Sequence, residues 1–298
     1  MTTAPTGPGD RIWPHYAAWV QRPVLALTPS QKLLRGIFDG TTFLLAKRCA
    51  GVAATRSRVG GVPGLCLTPE NGAGGRLLYL HGGGFTIGSS TSHRHMVAHI
   101  ARAAGCTTFL PDYRRAPEYP FPAALDDTRA AYAAMAADGP VMVAGDSAGG
   151  ALALSLLHAL GSGTPPPAAL VLLSPVADLD LAQGSFQRST DTELLIPEGW
   201  ARRAVAAYLD GHDPADPLAS PLAAPFPCAP PTLIQYASGE ALEPDSLHTA
   251  DALRAAGGPV TVEATPGVAH VWHLHAGRSH AADTAIARIG AFLREHTP

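Results

Sequence analysis

From Arg76 to the end of the chain, short apolar runs alternate with longer stretches of helical periodicity. Arg76 to Leu80, Thr107 to Leu110, Val141 to Val143, Leu170 to Ser174, Thr232 to Ala237 and Val260 to Ala264 have the length and β-rich character of buried strands. Between and after them, helices are predicted near His93 to Ala104, Ala123 to Ala137, Ala148 to Leu160, Asp245 to Ala256 and Ala281 to Glu295. Regular βα alternation implies a mostly parallel sheet covered by helices on both faces. Arg56 to Val59 and Gly64 to Leu67, either side of Gly60-Gly61-Val62-Pro63, predict an antiparallel edge pair and bring the sheet to eight strands.

Two intervals depart from this rhythm. Residues 1–10 are expected to be disordered, and Ile12 to Ala50 then reads as helical and bulky, carrying Trp13, Trp19, Leu33, Leu34, Ile37, Phe38, Phe43 and Leu44. Ordinary helix packing accounts for such a segment, and so does a cap lining an apolar substrate pocket. Residues 176–231 hold acidic and Pro-rich loops around a predicted helix from Pro197 to Leu209, too long for a simple crossover. The expected organisation is therefore N-terminal cap helices over 1–50, a catalytic domain over 51–175 and 221–298, and a cap insertion over 176–220. Ligands of open α/β sheets bind beyond the carboxyl ends of the strands, where such a cap would lie.

Composition narrows the function. A 46% hydrophobic content in 298 residues supplies a large core, and 31 Gly with 28 Pro stay below the level of low-complexity chains. A formal charge of −3 speaks against nucleic acid or an anionic membrane as main partner, since both demand clustered basic charge. Cys49, Cys66, Cys106 and Cys228 are scattered without metal-ligand or redox spacing and are expected to be reduced. The N-terminal stretch lacks a basic region followed by an apolar run, and no segment approaches about 20 uninterrupted apolar residues. A cytoplasmic location without stable membrane association is the expectation.

The chemistry is concentrated around Val141 to Gly150, VMVAGDSAGG, where an apolar run meets a Gly-x-Ser-x-Gly turn and then a helix. A serine on a sharp strand-to-helix turn has its hydroxyl presented above the strand ends, which makes Ser147 the candidate nucleophile; a plain Gly/Ser loop is the rival reading. His81-Gly82-Gly83-Gly84-Phe85 directly follows a predicted strand and exposes backbone N–H groups. The candidate oxyanion donors are the N–H groups of Gly83, Gly84 and Ala148. A dinucleotide-type glycine loop fits less well, because Ile87 stands where the third glycine belongs. A serine nucleophile needs a base and the base an orienting carboxylate, in the chain order Ser, acid, His. Of thirteen histidines, His270 lies in the loop after the last predicted strand, with His273 and His275 as alternatives expected to face solvent or to cap. For the acid, Glu240 stands nearest the end of its strand; Asp245 is second, its place explained by a helix N-terminus. His95 and His99, four apart on a predicted helix, lack a supporting carboxylate for a metal site and are expected at the surface.

With these residues in place, the sequence resembles the hormone-sensitive-lipase-like family of α/β hydrolases, in its bacterial carboxylesterase branch, from about Val62 to the end. His81 to Phe85 looks like the family's HGGG(F) motif, Gly145 to Gly150 its GDSAGG elbow, and DYRRAPEYPFPAALD over Asp112 to Asp126 its DYRLAPEHPFPAALD block. The resemblance implies an α/β-hydrolase fold with a split cap, a triad of Ser147, Glu240 and His270, and oxyanion donors Gly83, Gly84 and Ala148. It implies a serine carboxylesterase with no cofactor or metal and a small-molecule ester as partner, and the bulky cap residues suggest a closed apolar pocket that favours short- to medium-chain esters or small lactones. A homodimer is compatible with it. Three departures stand out: Arg115 for Leu, Tyr119 for His, and Glu240 where the family acid is commonly Asp. Glu118 and Asp146 are expected to form a structural pairing that braces the elbow. An amidase or peptidase with the same triad, and a non-catalytic binder on the same fold, are the alternative functions.

Overall fold

The computed structural model describes residues 7–72, 74–161, 163–180 and 192–297. Eight strands form one sheet: β1 (Val52–Val59), β2 (Val62–Pro69), β3 (Arg76–Leu80), β4 (Thr107–Pro111), β5 (Met142–Asp146), β6 (Leu170–Leu173), β7 (Thr232–Ala237) and β8 (Val260–Thr265). Their order is β1-β2-β4-β3-β5-β6-β7-β8. β1 and β2 pair antiparallel, β2 joins β4 antiparallel, and every other neighbour is parallel. Val59 pairs with Val62, so the edge turn is Gly60-Gly61 alone, shorter than the four residues expected.

The two faces follow from the period of two along each strand. Leu77, Tyr79, Met142, Ala144, Val171 and Leu173 pack under α4 (Ser90–Ala104) and the C-terminal α9 (His280–Glu295). Leu78, Leu80, Val143, Leu170, Leu172 and Ile234 pack under α5 (Ala123–Ala136), α6 (Ala148–Ala159) and α8 (Glu243–Ala255). Local signals set the ends of α4. Ser89 accepts from the N–H groups of Thr91 and Ser92 while Ser92 Oγ accepts from Ser89 N–H, and Gly105 closes the helix at φ 68°.

Outside these layers lie the N-terminal helices and the insertion. α1 (Pro8–Tyr16), a π-helical turn (Ala17–Gln21) and α2 (Arg22–Leu27) run on without interruption, and α3 (Gln31–Leu45) follows. The first helix thus starts at Pro8, inside the stretch 1–10 that reads as disordered; of that stretch, residues 1–6 lie outside the described residues. In the insertion, α7 (Glu198–Leu209) is the predicted helix, and residues 181–191 lie outside the described residues. A third apolar cluster gathers these parts above the strand ends. It joins Leu25 and Leu34 to Ile196 and Trp200, to Ile87 after β3, and to Ala241 and Leu242 after β7. Among the described residues no helix is long and apolar enough to cross a membrane.

Candidate active site

Ser147 stands between β5 and α6 at φ 52° and ψ −120°, a conformation that L-residues hold only when the surroundings over-determine it. The surroundings do so. Its N–H donates to Leu173 O (2.9 Å), and its carbonyl accepts from Val176 N (3.1 Å) and Ala151 N (3.2 Å). The turn also needs α6 pressed against β3: a Cβ on Gly149 would lie 2.0 Å from Leu80 O, so only glycine fits. Ser147 is 8% exposed and opens onto a cavity of about 100 Å³.

Gly83, Gly84 and His270 line the same cavity. The glycine loop is held open by backbone that side-chain-bearing residues disfavour, with Gly83 at φ 120°. Its shape is locked by Thr86 N and Ile87 N, both donating to Gly83 O, and by Ala116 N donating to Phe85 O. Arg115, one of the departures from the family pattern, donates to Gly88 O at the far end of this loop. The N–H groups of Gly83 and Gly84 take no part in the backbone bonds that lock this loop, which leaves them the expected donors toward a ligand in the cavity.

His270 Nδ1 lies 2.9 Å from Glu240 Oε2, both side chains buried. Glu240 is acceptor-only when ionised, so Nδ1–H donates and Nε2 keeps its lone pair. Burial lowers the His270 pKa, but the carboxylates of Glu240, Glu193 and Asp146 together more than offset this, and the net shift is upward. Burial raises the Glu240 pKa, against the pull of His270. Ser174 Oγ sits beside this carboxyl and lowers its pKa, yet neither Ser174 Oγ nor Glu240 Oε1 completes a hydrogen bond of normal geometry. Ser147 and His270 form no hydrogen bond with each other among the described contacts; free hydrolases often close this gap only with substrate bound.

The alternatives part company here. Asp245 is buried in the first turn of α8, but its carboxylate accepts from Ala177 N (2.8 Å) and Asp178 N (3.2 Å) and braces the segment after β6. It therefore stands at the helix N-terminus as expected and is a cross-brace as well. His273 is not at the surface: it is fully buried and its Nε2 meets Gln235 Oε1 at 2.8 Å. His275 stacks on Trp13 with ring centroids 3.9 Å apart instead of capping. His95 and His99 are also buried, not surface, residues; His99 Nε2 donates to Lys47 O (3.1 Å) and His95 packs on Phe43. Among the described residues no group of three or more His, Cys, Asp or Glu side chains could hold a metal.

Asp146 does brace the elbow, accepting from Tyr79 OH (2.9 Å) and lying 3.3 Å from His93 Nε2. Burial opposes its charge, but His93 prevails and its pKa is lowered. Glu118 is not its partner. It forms a bidentate pair with Arg35 of α3 (2.6 and 2.9 Å), and the same guanidinium donates to Thr86 O and Ala116 O, both at 2.7 Å. Sequence reasoning missed Arg35, which stands among apolar residues of α3 between Leu34 and Ile37. It also missed Glu193, which has no local signal at all. The thiols of Cys49, Cys66, Cys106 and Cys228 are all free, as expected.

The remaining walls of the cavity are mostly apolar and come from the N-terminal helices and the insertion, with Val24, Leu25, Leu34 and Phe38 on one side and Leu195, Ile196 and Trp200 on the other. A Cβ on Gly84 would lie 2.8 Å from Trp200, so the insertion abuts the glycine loop directly.

Comparison with known proteins agrees with this fold. A family profile described as the alpha/beta hydrolase fold matches residues 77–274. An acetyl-hydrolase of Streptomyces hygroscopicus is 43% identical over 234 residues, covering 77% of this chain and 78% of the relative. The esterase LipU of Mycobacterium tuberculosis (strain ATCC 25618 / H37Rv) is 31% identical over 300 residues, 93% of this chain and 99% of the relative. Among solved structures, an esterase from the bacterial hormone-sensitive lipase family superposes with a TM-score of 0.90 at 36% identity, over 98% of this chain and 99% of that one. The esterase EstE5, soaked with p-nitrophenyl butyrate, gives 0.89 at 33% identity with the same coverage.

Proposed function

Because this chain belongs to the α/β-hydrolase family, in its bacterial hormone-sensitive-lipase branch, and is an ester hydrolase, we propose that it cleaves small carboxylic esters through an acyl-enzyme on Ser147. Ser147 Oγ attacks the ester carbonyl while His270 Nε2 takes its proton. The carbonyl oxygen becomes an oxyanion and accepts from the N–H groups of Gly83, Gly84 and Ala148. Collapse expels the alcohol, which receives the proton from His270. A water molecule, deprotonated by the same imidazole, then releases the acid and restores Ser147. Glu240 holds the Nδ1–H tautomer and offsets the charge on the imidazolium in both halves of the cycle.

The observation that carries this reading is the strained Ser147 turn opening onto the same cavity as His270, whose other nitrogen is bonded to Glu240 at 2.9 Å. The small volume and apolar walls of that cavity support short- to medium-chain esters or small lactones as substrates. A panel of p-nitrophenyl esters of rising acyl length, with lactones and matched amides, tests it. Turnover should be fastest for short acyl chains, with a pre-steady-state burst. Ser147→Ala should lower kcat by on the order of 10⁴-fold or more. Faster cleavage of the matched amides, or undiminished ester turnover by Ser147→Ala, would overturn the proposal.

A further inference from the structure

The loop that carries Glu240 is gripped from the cap on both of its sides. Thr192 Oγ1 donates to Gly239 O (2.6 Å), and Glu193 Oε2 accepts from Ala241 N (2.7 Å). The second oxygen of Glu193 accepts from Leu195 N (2.6 Å) and Ile196 N (2.9 Å), and Arg22 of α2 donates to the Glu193 carbonyl. Glu193 is 5% exposed, so its charge is supported by three backbone N–H donors rather than by water. A buried carboxylate is costly unless its oxygens are hydrogen-bonded, and an apolar side chain here would leave the N–H groups of Leu195, Ile196 and Ala241 without this acceptor.

Glu240 depends on that grip. Among the described residues its one hydrogen bond of normal geometry is the one to His270, and Oε1, beside Ser174 Oγ, has none. Its aim is therefore set by the backbone from Gly239 to Ala241. We infer that Glu193 is a positioning residue for the Glu240–His270 pair, fixing the acid loop through its bond from Ala241 N–H. This inference rests on the proposed function above. The charges that bear on His270 are Glu240, Glu193 and Asp146, all favouring its protonation, with His273 the neighbouring base that is affected in turn. Glu193 also raises the pKa of Glu240, as one carboxylate beside another must.

The experiment measures kcat, KM and the acid limb of kcat/KM with p-nitrophenyl butyrate for wild type, Ser147→Ala, Glu193→Gln and Glu193→Asp. Active sites are counted with an organophosphate titrant, so an unfolded fraction does not enter kcat. Glu193→Gln turns an N–H donor or loses an acceptor toward Ala241 and removes the charge. It should lower kcat by about 10- to 100-fold with KM changing far less, and should move the acid limb to lower pH. Glu193→Asp keeps the charge but not the reach, so kcat should fall while the limb stays. A wild-type kcat and limb in Glu193→Gln, alongside an active wild type and a dead Ser147→Ala, would overturn this inference and leave the proposed function standing. An inactive wild type would overturn both. If Glu193→Gln does not fold, Thr192→Val, which loosens the grip at Gly239, must lower kcat with an unmoved limb; unchanged kcat overturns the inference.

Discussion

Glu240 and Asp245 are both buried acids in one stretch after β7, and only their partners separate them. Glu240→Gln leaves an amide beside His270 Nδ1 that can hold the wrong tautomer and carries no charge. It should lower kcat by about 10²- to 10⁴-fold with little effect on Tm. Asp245→Asn should do the reverse, keeping kcat while costing about 1–3 kcal/mol in denaturant unfolding, because its amide oxygen can still accept from the two backbone N–H groups but without the charge that strengthens both bonds. A larger kcat loss in Asp245→Asn would reassign the acid. The upward shift of His270 also predicts where activity fades. Below its pKa the imidazole is protonated and cannot take the Ser147 proton, so the acid limb of kcat/KM should lie above the ordinary histidine value of about 6.5. A pH–rate profile with its limb at 5 would contradict the Glu240–His270 pairing. At this scale the sequence was readable where chemistry is local: the glycines and Ser147 sit in short motifs, and Glu240 and His270 follow strand ends. Glu193 was not readable, because its partner Ala241 is 48 positions away and nothing near Glu193 marks it as buried.

The strands and helices of the sheet could be read from periodicity because apolar side chains dominate every buried face. The same reasoning fails for α4. Apart from Thr91, Arg94, Arg102 and Ala103 the whole helix is buried, so His93, His95 and His99 lie inside although their polarity suggests a wet face. A helix covered by the sheet on one side and by α3 and α9 on others has little surface on which polarity could report exposure. Between elements, Arg35 is the clamp. Its guanidinium ties α3 to the glycine loop at Thr86 and to Ala116 and Glu118 on the connection after β4. Arg35→Ala should loosen the N-terminal helices at a cost on the order of 2–3 kcal/mol, and should raise KM because α3 walls the cavity. Arg35→Lys should recover little, since an ammonium cannot reproduce the planar fork. Limited proteolysis within residues 7–45 checks this directly: cleavage no faster in Arg35→Ala than in wild type would rule the clamp out.

For the whole molecule, the two sheet faces and the site share a set of histidines that folding keeps neutral. His81 lies beneath the glycine loop, its Nδ1–H donating to Gly82 O and its ring stacked on Tyr113; burial, and then His93, push its pKa down to about 3. His273 is fully buried and also falls to about 3, its Nε2–H donating to Gln235, whose amide in turn donates to Glu263. The unfolded chain protonates both near pH 6.5, whereas the folded chain does not until about 3. Unfolding below pH 6.5 therefore takes up two protons, and stability falls as pH falls, by up to about 3 kcal/mol per pH unit between roughly 6 and 4. His275, pushed by burial to about 4, adds in the same direction. Glu118, held down to about 2 by Arg35, joins only below the ordinary glutamate range, when its contribution is lost as it protonates. His270 acts with the opposite sign: its raised pKa contributes stability below 6.5 that is lost as pH rises through the folded value. Stability should thus fall steeply from pH 6 to pH 5, where most carboxylates are still ionised. Urea midpoints at pH 5, 6 and 7 test this, and His273→Gln should flatten the slope by about one proton; equal midpoints at pH 5 and 7 would mean these histidines are charged in the fold.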